Sequence, residues 1–433
     1  MKSPARYILV AALAATFAVS GYSQNTPQSV ADGDWNAGET WSTGAAPAGS
    51  SLHAYIQGGY TVDFTSGTSA NLSTLNIGSN QDASGASVGA GSAAGTLNIT
   101  GGTVRSSANN VGAIKIATGD NATGTLNING GTLSGTGTRT GVQIGNGNGA
   151  EGFLNISSGS VSLTGGIAIG NANNSTTANN VTGHLTISGG SLATSTASSS
   201  GIFYVGYAGA DDVSATGTYT QTGGTVSIDA ANYANYLAVG YATNSSRTAN
   251  GTASITGGTF SGNIRVGRQA GSNGLGGGQL IIGPGANISG KDQAWQVSGN
   301  GEIVFELGST TDFNAVDLTA STAAHSLSFT EAGAKITVDG SNLDYASGLG
   351  PITLFDFISG KGPDATSMSN VVFDYIGFDP QFAPQLEWTA TSLQLNLNLA
   401  AVPEPSTYAL IFGAAALGVV LVRRRRRSLA THS

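Results

Sequence analysis

The chain has 433 residues, a net charge of −8 at neutral pH, 66 glycines, no cysteine and only 9% charged residues. The lack of cysteine excludes disulfides and thiolate metal sites, and the acidic balance without a folded basic patch argues against a nucleic-acid partner. Many small polar residues with regularly placed Val, Ile and Leu favour stacked strands and tight turns over helices.

Residues 1–23 show the pattern of a secretory signal peptide. Lys2 and Arg6 precede an apolar run over residues 7–19, and the small residues Ser20, Gly21 and Ser23 follow within residues 20–24. This pattern predicts export, with cleavage within the small-residue stretch. The alternative, an uncleaved membrane anchor, fits less well because the apolar run is shorter than a membrane-spanning helix.

Residues 24–64 contain two tryptophans and two stretches with the period of a strand. Trp35 and Trp41 precede AYI at residues 54–56 and YTVDF at residues 60–64, in which apolar and polar residues alternate. The tryptophans can be interpreted in two ways, as a sugar-binding pair or as cover for the open end of a repeat array. We favour the second and predict an N-terminal cap, because the first coil of an array otherwise exposes its apolar interior.

A ten-residue motif recurs through the middle of the chain, and its clearest copy is GTLNINGGTL. The six copies start at Gly95, Gly124, Gly152, Gly183, Gly217 and Gly251. A period of roughly 30 residues indicates a solenoid, whereas a β-propeller blade would need about 40–45 residues.

Each repeat contains three short apolar segments separated by glycine-rich turns. In the repeat that begins at Gly124 they are residues 126–128 (LNI), 132–133 (TL) and 142–145 (VQIG). Strands this short cannot bury a face alone, but stacked repeats bury one shared core. We therefore predict an all-β fold: a parallel β-helix (solenoid) of about eight coils with β caps, plus a C-terminal hydrophobic helix.

The register of the repeats predicts columns of like residues along the solenoid axis. Two apolar columns should point inward, and an asparagine column should point outward, where stacked amides hydrogen-bond along the axis. The leucine column is Leu97, Leu126, Leu154 and Leu185; the isoleucine column is Ile99, Ile128, Ile156, Ile187 and Ile255; the asparagine column is Asn98, Asn127 and Asn155. Paired glycines, as at residues 101–102 and 130–131, are expected at corners that need positive φ or a close backbone approach.

Charged residues are sparse in the array and do not recur at one position of successive repeats. Asp211 and Asp212 are the only adjacent acids between residues 60 and 290, and we expect them in a loop. A β-helical polysaccharide lyase or hydrolase is the alternative function, and it needs clustered carboxylates. Such an enzyme would need Asp211, Asp212 and Asp229 to lie in one groove with Arg247 or Arg265. We predict instead that the protein is not an enzyme and has no catalytic residue, metal or cofactor.

One position just after the third segment suggests a sugar-binding surface. In successive repeats it is occupied by Thr118, Asn146, Asn171, Tyr207, Tyr241 and Arg268. If the repeats are in register, Tyr207, Tyr241 and Arg268 stack on one outward face and are candidate glycan-binding residues. We expect four further tyrosines nearby, which are Tyr204, Tyr219, Tyr233 and Tyr236. The alternative is that these tyrosines only cover loop residues.

Residues 291–400 keep β character but lose the repeat. Strand-like runs occur at residues 303–307, 335–338, 352–357, 371–373 and 393–397. Phenylalanine becomes frequent here, as expected where the last coil of an array must be covered, so we predict a C-terminal β cap. Asp339, Asp344 and Asp356 are scattered, and we expect them at turns and strand surfaces.

The C-terminal tail combines a short motif, an apolar run and a basic cluster. Pro403, Glu404 and Pro405 precede an apolar run over residues 408–422. The basic cluster is Arg423, Arg424, Arg425, Arg426 and Arg427. As a helix the run spans about 23 Å, which is short for a membrane span, although snorkelling arginines extend it. We predict a short transmembrane helix whose arginine flank stays cytoplasmic, with the β-helix on the other side.

This order of motif, short hydrophobic helix and arginine cluster resembles a PEP-CTERM sorting signal. The resemblance implies that Pro403, Glu404 and Pro405 are recognised by an exosortase, an integral-membrane transpeptidase-like enzyme. It also implies a transient inner-membrane intermediate, then release or transfer to the surface of a Gram-negative, exopolysaccharide-producing bacterium. More loosely, the repeats resemble those of PEP-CTERM and autotransporter-associated β-helix proteins.

These features together predict an exported, non-enzymatic cell-surface or extracellular-matrix β-helical protein that an exosortase sorts. Its expected partners are the exosortase and exopolysaccharide, to which it would adhere, and no nucleic acid. The predicted divisions are 1–23 (signal peptide), 24–64 (N-terminal cap), 65–290 (repeat array), 291–400 (C-terminal β region) and 401–433 (sorting signal).

Overall fold

A computed structural model describes most of the chain. The described residues are 26–65, 69–79, 93–108, 112–136, 140–172, 180–195, 201–209, 213–229, 235–243, 247–267, 275–308, 313–345, 350–399 and 405–430. The predicted signal peptide over 1–23 lies outside them.

The chain forms short parallel strands that stack coil upon coil. In the first half they are β1 (Gly33–Asp34), β2 (His53–Ile56), β3 (Tyr60–Phe64), β4 (Ser69–Leu72), β5 (Thr74–Ser79), β6 (Ala94–Ile99), β7 (Thr103–Ser106), β8 (Ile114–Thr118), β9 (Thr123–Gly135), β10 (Thr140–Asn146), β11 (Glu151–Leu163), β12 (Gly166–Ala172), β13 (Asn180–Ile187) and β14 (Ser191–Thr194). A 3-10 turn spans Gly38–Thr40.

The second half continues the strands and adds two helices. The strands are β15 (Phe203–Ala208), β16 (Ser214–Ile228), β17 (Leu237–Ala242), β18 (Thr248–Ser261), β19 (Ile264–Val266), β20 (Leu275–Ser289), β21 (Trp295–Val297), β22 (Gly301–Glu306), β23 (Val316–Asp317), β24 (Leu327–Phe329), β25 (Ala334–Asp339), β26 (Ile352–Asp356), β27 (Val371–Ile376), β28 (Phe382–Trp388) and β29 (Ser392–Leu399). The helices are α1 (Ala365–Ser369) and α2 (Pro405–Ala430).

These strands build a mostly β solenoid of about eight turns with one C-terminal helix, which confirms the predicted fold class. The third segment of each repeat contributes to a ten-stranded parallel sheet that runs from β2 to β24. The first two segments lie in the other sheet, where like positions of successive repeats pair in parallel, for example β9 with β11. The predicted β caps at the two ends stay a prediction.

The inward columns form the core as the register predicts. Leu97 pairs with Leu126, which pairs with Leu154, and every leucine of this column is at most 1% exposed. The isoleucine column is equally buried, although Gln221 stands between Ile187 and Ile255. Each such Leu or Ile contributes about 1.5–3 kcal/mol by leaving water, so the stacking of repeats, and no single repeat, stabilises the fold.

The asparagine column is hydrogen-bonded along the axis. The amide nitrogen of Asn127 donates to the Asn98 side-chain oxygen at 2.8 Å, and that of Asn155 donates to Asn127 at 2.9 Å. Asn98 in turn donates to the Asp63 carboxylate at 2.7 Å, which extends the ladder by one coil. The corner glycines also behave as expected, since Gly131 has a φ of +64°.

The strands themselves are longer than we predicted. We expected three strands of two to five residues in each repeat, but β9 and β11 each run for 13 residues and β16 for 15. In these coils the first and second segments form one strand, because backbone pairing to the next coil continues past the glycine corner. Apolar periodicity predicts which side chains are buried, but it does not predict how far backbone pairing extends. The strand lengths could therefore not be predicted from it.

The two N-terminal tryptophans are buried, at 1% and 2% exposure. The rings of Trp35 and Trp41 meet edge-to-face at 4.9 Å, and Trp35 also contacts Phe64 at 5.4 Å. The indole nitrogen of Trp41 donates to the Trp35 carbonyl oxygen. The sugar-binding reading of this pair is therefore excluded, because neither face is open to a ligand.

Parallel stacking continues beyond residue 290. Ile303 pairs with Ile336, and Ile336 pairs with Phe373, so β22, β25 and β27 extend the column of the first segment. β29 then pairs antiparallel with both β26 and β28. The short helix α1, which we did not predict, lies against β24, where the Ser367 hydroxyl accepts from the Phe329 backbone nitrogen.

The tail is one helix, α2, that runs through the apolar stretch and on past the arginines. Its described side chains, at residues 409–424, are all exposed, including Leu410 and Phe412 at 74% and 72%. Among the described helices, none is both long and apolar enough to cross a membrane. The predicted transmembrane helix is thus not found there, since fifteen apolar residues reach only about 23 Å.

Candidate functional site

The most distinctive surface feature of the ten-stranded sheet is a cluster of three tyrosines. Tyr207 at the end of β15 pairs in register with Tyr241 at the end of β17, and Tyr204 lies earlier on β15. Gly206, with a φ of +72°, changes the direction of the chain between Tyr204 and Tyr207. The cluster therefore arises from a positive-φ glycine followed by tyrosine in two consecutive coils.

The three rings pack against one another. Tyr207 and Tyr241 are stacked with centroids 5.7 Å apart and planes inclined by 22°. Tyr204 contacts both of them, at 4.4 Å and 5.3 Å. All three side chains are half-buried, so they present a continuous aromatic surface of limited area to solvent. We call this group the tyrosine cluster.

Burial raises the pKa of the Tyr207 phenol. The neighbouring Tyr241 raises this pKa further, whereas the positive charge of Arg247 lowers it. The net shift is upward, so the Tyr207 phenol stays protonated at neutral pH and can donate a hydrogen bond. The cluster thus offers aromatic faces, a neutral phenol donor and a nearby cation.

The column is less uniform than its sequence suggested. Thr118 and Asn171 occupy the same position in earlier coils, but their side chains are buried, at 8% and 2% exposure. Asn146 is half-buried at this position, like Tyr207 and Tyr241, so among the described coils only these two present an aromatic ring there. Arg268, the third candidate glycan-binding residue, lies outside the described residues.

Our placement of the surrounding tyrosines was partly wrong. Tyr219 is fully buried and takes a leucine position of the inward column, where it pairs with Leu185. Tyr236 is only 3% exposed, and the Arg265 guanidinium lies 3.9 Å from its ring centroid. Tyr233 lies outside the described residues. Tyrosine is expected on surfaces because of its hydroxyl, but here Gln221 inside the core accepts that hydrogen bond.

The residues that the enzymatic alternative requires are not all described. Asp211 and Asp212 lie outside the described residues, whereas Asp229 directly follows β16. Within the described residues, no group of three His, Asp or Glu side chains is arranged to hold a metal ion.

The structure brings together one pair of acidic residues that we did not predict from the sequence. Asp317 on β23 pairs in register with Asp356 on β26, although the two strands are far apart in sequence. Burial raises the pKa of the Asp356 carboxyl, and the charge of Asp317 raises it further. We expected Asp356 at a turn or strand surface. The pairing could not be seen because these two strands carry no repeat motif.

In the sequence, the sorting motif follows β29 and overlaps the first residue of α2. Pro403 and Glu404 lie outside the described residues, and Pro405 is the first residue of α2. Arg423 is exposed on the same helix, as is Arg424. Arg425, Arg426 and Arg427 continue the helix, but their side chains are outside the description.

Comparison with known families identifies this tail. The family described as the PEP-CTERM protein-sorting motif matches residues 401–427. The motif implies exosortase-dependent export and a surface or extracellular location. No family matches the repeats, and no curated protein or solved structure is significantly similar to the chain.

Proposed function

We propose that this protein is an exported structural rod of the cell surface or extracellular matrix, without enzymatic activity. An exosortase would recognise Pro403, Glu404 and Pro405 while the exposed apolar side chains and the arginines of α2 keep an intermediate associated with the inner membrane without spanning it. The observation that supports this proposal most strongly is that one chain combines a sorting motif with a solenoid, which grows longer with each repeat. A rod of stacked coils suits spanning and spacing, because each added repeat extends it along one axis.

The proposed division of labour follows the predicted boundaries. Residues 1–23 direct export, 24–64 and 291–400 close the two ends, 65–290 form the rod and 401–433 carry the sorting signal. The burial of Trp35 and Trp41 supports the N-terminal assignment, because a closed end needs its large apolar side chains covered.

Replacing Pro403, Glu404 and Pro405 together by alanine is expected to abolish sorting. The substituted protein should accumulate in the membrane fraction at its unprocessed size, because the exosortase no longer recognises the segment. Fractionation of the producing bacterium followed by immunoblotting measures this. The matched control replaces the adjacent Ser406 and Thr407 by alanine and should be sorted normally.

Deleting the exosortase gene should reproduce the effect of the motif substitution. If the surface-located fraction is unchanged in both the deletion strain and the substituted protein, exosortase-dependent sorting of this chain is wrong. If only the substitution has an effect, another enzyme reads the motif.

We further propose that the rod associates with exopolysaccharide through the tyrosine cluster. The solvent-exposed parts of the Tyr207 and Tyr241 rings can pack against the apolar faces of sugar rings, and the protonated Tyr207 phenol can donate to a sugar hydroxyl. Arg268 directly follows the glycine of the next coil and could extend the surface.

Replacing Tyr207 and Tyr241 together by serine is expected to weaken binding to the producing bacterium's extracellular polysaccharide roughly tenfold, at about 0.5–1.5 kcal/mol per ring. Cosedimentation of purified protein with the insoluble polysaccharide measures the change. Tyr60→Ser, which removes a half-buried tyrosine far from the cluster, is the control and should bind normally. Unchanged binding by the double variant would remove the cluster as a binding surface.

A further inference from the structure

A second surface feature lies on a different face of the rod, near its N-terminal end. The loop over residues 48–50 and the second segments of the next three coils enclose an open cleft of about 600 Å³. Asn71 on β4, Arg105 on β7 and Ser134 on β9 pair in register across its wall, with about 4.8 Å between neighbouring strands. We call it the Arg105 cleft.

The walls of the Arg105 cleft are fixed by hydrogen bonds, and those among the described residues do not use the side chains of Asn71, Arg105 or Ser134. The backbone nitrogen of Gly49 donates to the Asn71 carbonyl oxygen at 2.8 Å and holds the loop against β4. The Ser106 hydroxyl is buried and bonded to two backbone carbonyls, and the Ser107 hydroxyl donates to the Leu72 carbonyl. The cleft is therefore preorganised by its backbone.

Among the described residues that line the cleft, Arg105 alone is charged, and it is exposed. Within the described residues no carboxylate pairs with its guanidinium, although the chain as a whole is acidic. Its neighbours along the wall supply an amide at Asn71 and a hydroxyl at Ser134. An arginine among neutral polar groups, with no carboxylate partner in the described part of the chain, attracts an anion.

We infer that the Arg105 cleft binds a carboxylate-bearing sugar unit, a uronate. The guanidinium would take the carboxylate with two parallel hydrogen bonds, while Asn71 and Ser134 would bond the ring hydroxyls. The even spacing of the three strands suits a ligand that extends along the rod axis, as a polysaccharide does. This site is separate from the tyrosine cluster and does not rest on it or on sorting.

The test measures binding of polygalacturonate to the purified protein by isothermal titration calorimetry. Arg105→Gln is expected to weaken binding about tenfold or more, because it removes the charged partner of the carboxylate. Arg105→Lys should lose part of the affinity, since it keeps the charge but not the planar fork. The control Lys291→Gln removes one positive charge in a later coil and should change binding less than twofold.

A second variant tests the geometry without removing the arginine. Ser134→Asp places a carboxylate on the neighbouring strand, where it can pair with Arg105 and repel the ligand, so we expect a loss similar to that of Arg105→Gln. Circular dichroism should show unchanged β structure in every variant, because the substituted side chains face outward.

Competition and binding measurements with three further ligands test whether the cleft recognises the carboxylate of a sugar. Free galacturonate should compete with the polymer, whereas fully methyl-esterified polygalacturonate should bind far more weakly because its carboxylates are masked. Inorganic phosphate should compete poorly. The inference is overturned if polygalacturonate does not bind, if Arg105→Gln behaves like Lys291→Gln, if the ester binds as well as the acid, or if phosphate competes as well as galacturonate.

Discussion

Replacing Gly170 by alanine is expected to destabilise the solenoid by about 3 kcal/mol or more. Gly170 has a φ of +62°, a conformation that costs an alanine about 1–2 kcal/mol. An added Cβ would also lie 2.1 Å from the carbonyl oxygen of Thr216 on β16, where backbone would have to move. Because strand pairing holds that backbone on both sides, the coil cannot shift at low cost.

The same requirement recurs at one corner of the rod. After the third segment of several coils, the glycine has a φ between +58° and +72°, and its added Cβ would meet backbone carbonyl oxygen at 2.0–2.4 Å. These glycines are Gly78, Gly145, Gly170, Gly206 and Gly240. The corner therefore combines a left-handed backbone with close contact between coils, which only glycine satisfies without strain.

Gly360→Ala is the matched control for the loss of stability. Gly360 has a φ of +80° but no atom within 4 Å of an added Cβ, so its substitution carries the backbone strain alone. The midpoints of guanidinium denaturation for the two variants therefore separate strain from contact. Equal midpoints would mean that the contact between coils contributes nothing to the requirement for glycine.

One coil already has alanine at this corner. Ala117 has a φ of +56° and is buried with Ala93, Ala122 and Ala150. The small neighbours make room for its methyl group, so the packing gain there offsets the backbone strain. We attribute the tolerance of this coil to those three alanines.

Replacing Tyr219 by phenylalanine is expected to cost about 1–3 kcal/mol, although it removes a single oxygen atom. The Tyr219 hydroxyl donates to the side-chain oxygen of Gln221, and both residues are fully buried. The Gln221 nitrogen is already engaged with the carbonyl oxygens of Gly224 and Thr259. Without the phenol, the Gln221 oxygen keeps its burial and loses its donor.

A double-mutant cycle isolates this pair. Gln221→Ile restores the residue type of its column but leaves the phenol without an acceptor, so alone it should also destabilise. Combined with Tyr219→Phe it should be closer to the natural protein than the two separate losses predict, because neither the phenol nor the Gln221 oxygen is then left without a partner. Only the lost donation to the Gly224 and Thr259 carbonyls persists in the double variant. Additive losses would show that the two side chains are not coupled.

The repeat motif was sufficient to predict the inward columns. A leucine and an isoleucine that alternate with polar residues, and that recur at a regular period, can both be buried only if successive repeats stack in register. The asparagine ladder followed from the same register, and its hydrogen bonds have the predicted partners. The prediction that Tyr219 lies near the outward tyrosines was wrong, because Gln221 inside the core accepts its hydrogen bond and so permits its burial.

The sequence by itself determined the strand period, the stacking of repeats and the sorting motif, since each depends on residue types at a fixed spacing along the chain. The tertiary structure alone decided which outward positions form surfaces. Tyr204 joins Tyr207 and Tyr241 because a positive-φ glycine bends β15, and Arg105 faces Asn71 and Ser134 because three coils align beside one loop. Contacts of this kind join residues that are a whole coil apart in sequence, and only the register of the backbone brings them together.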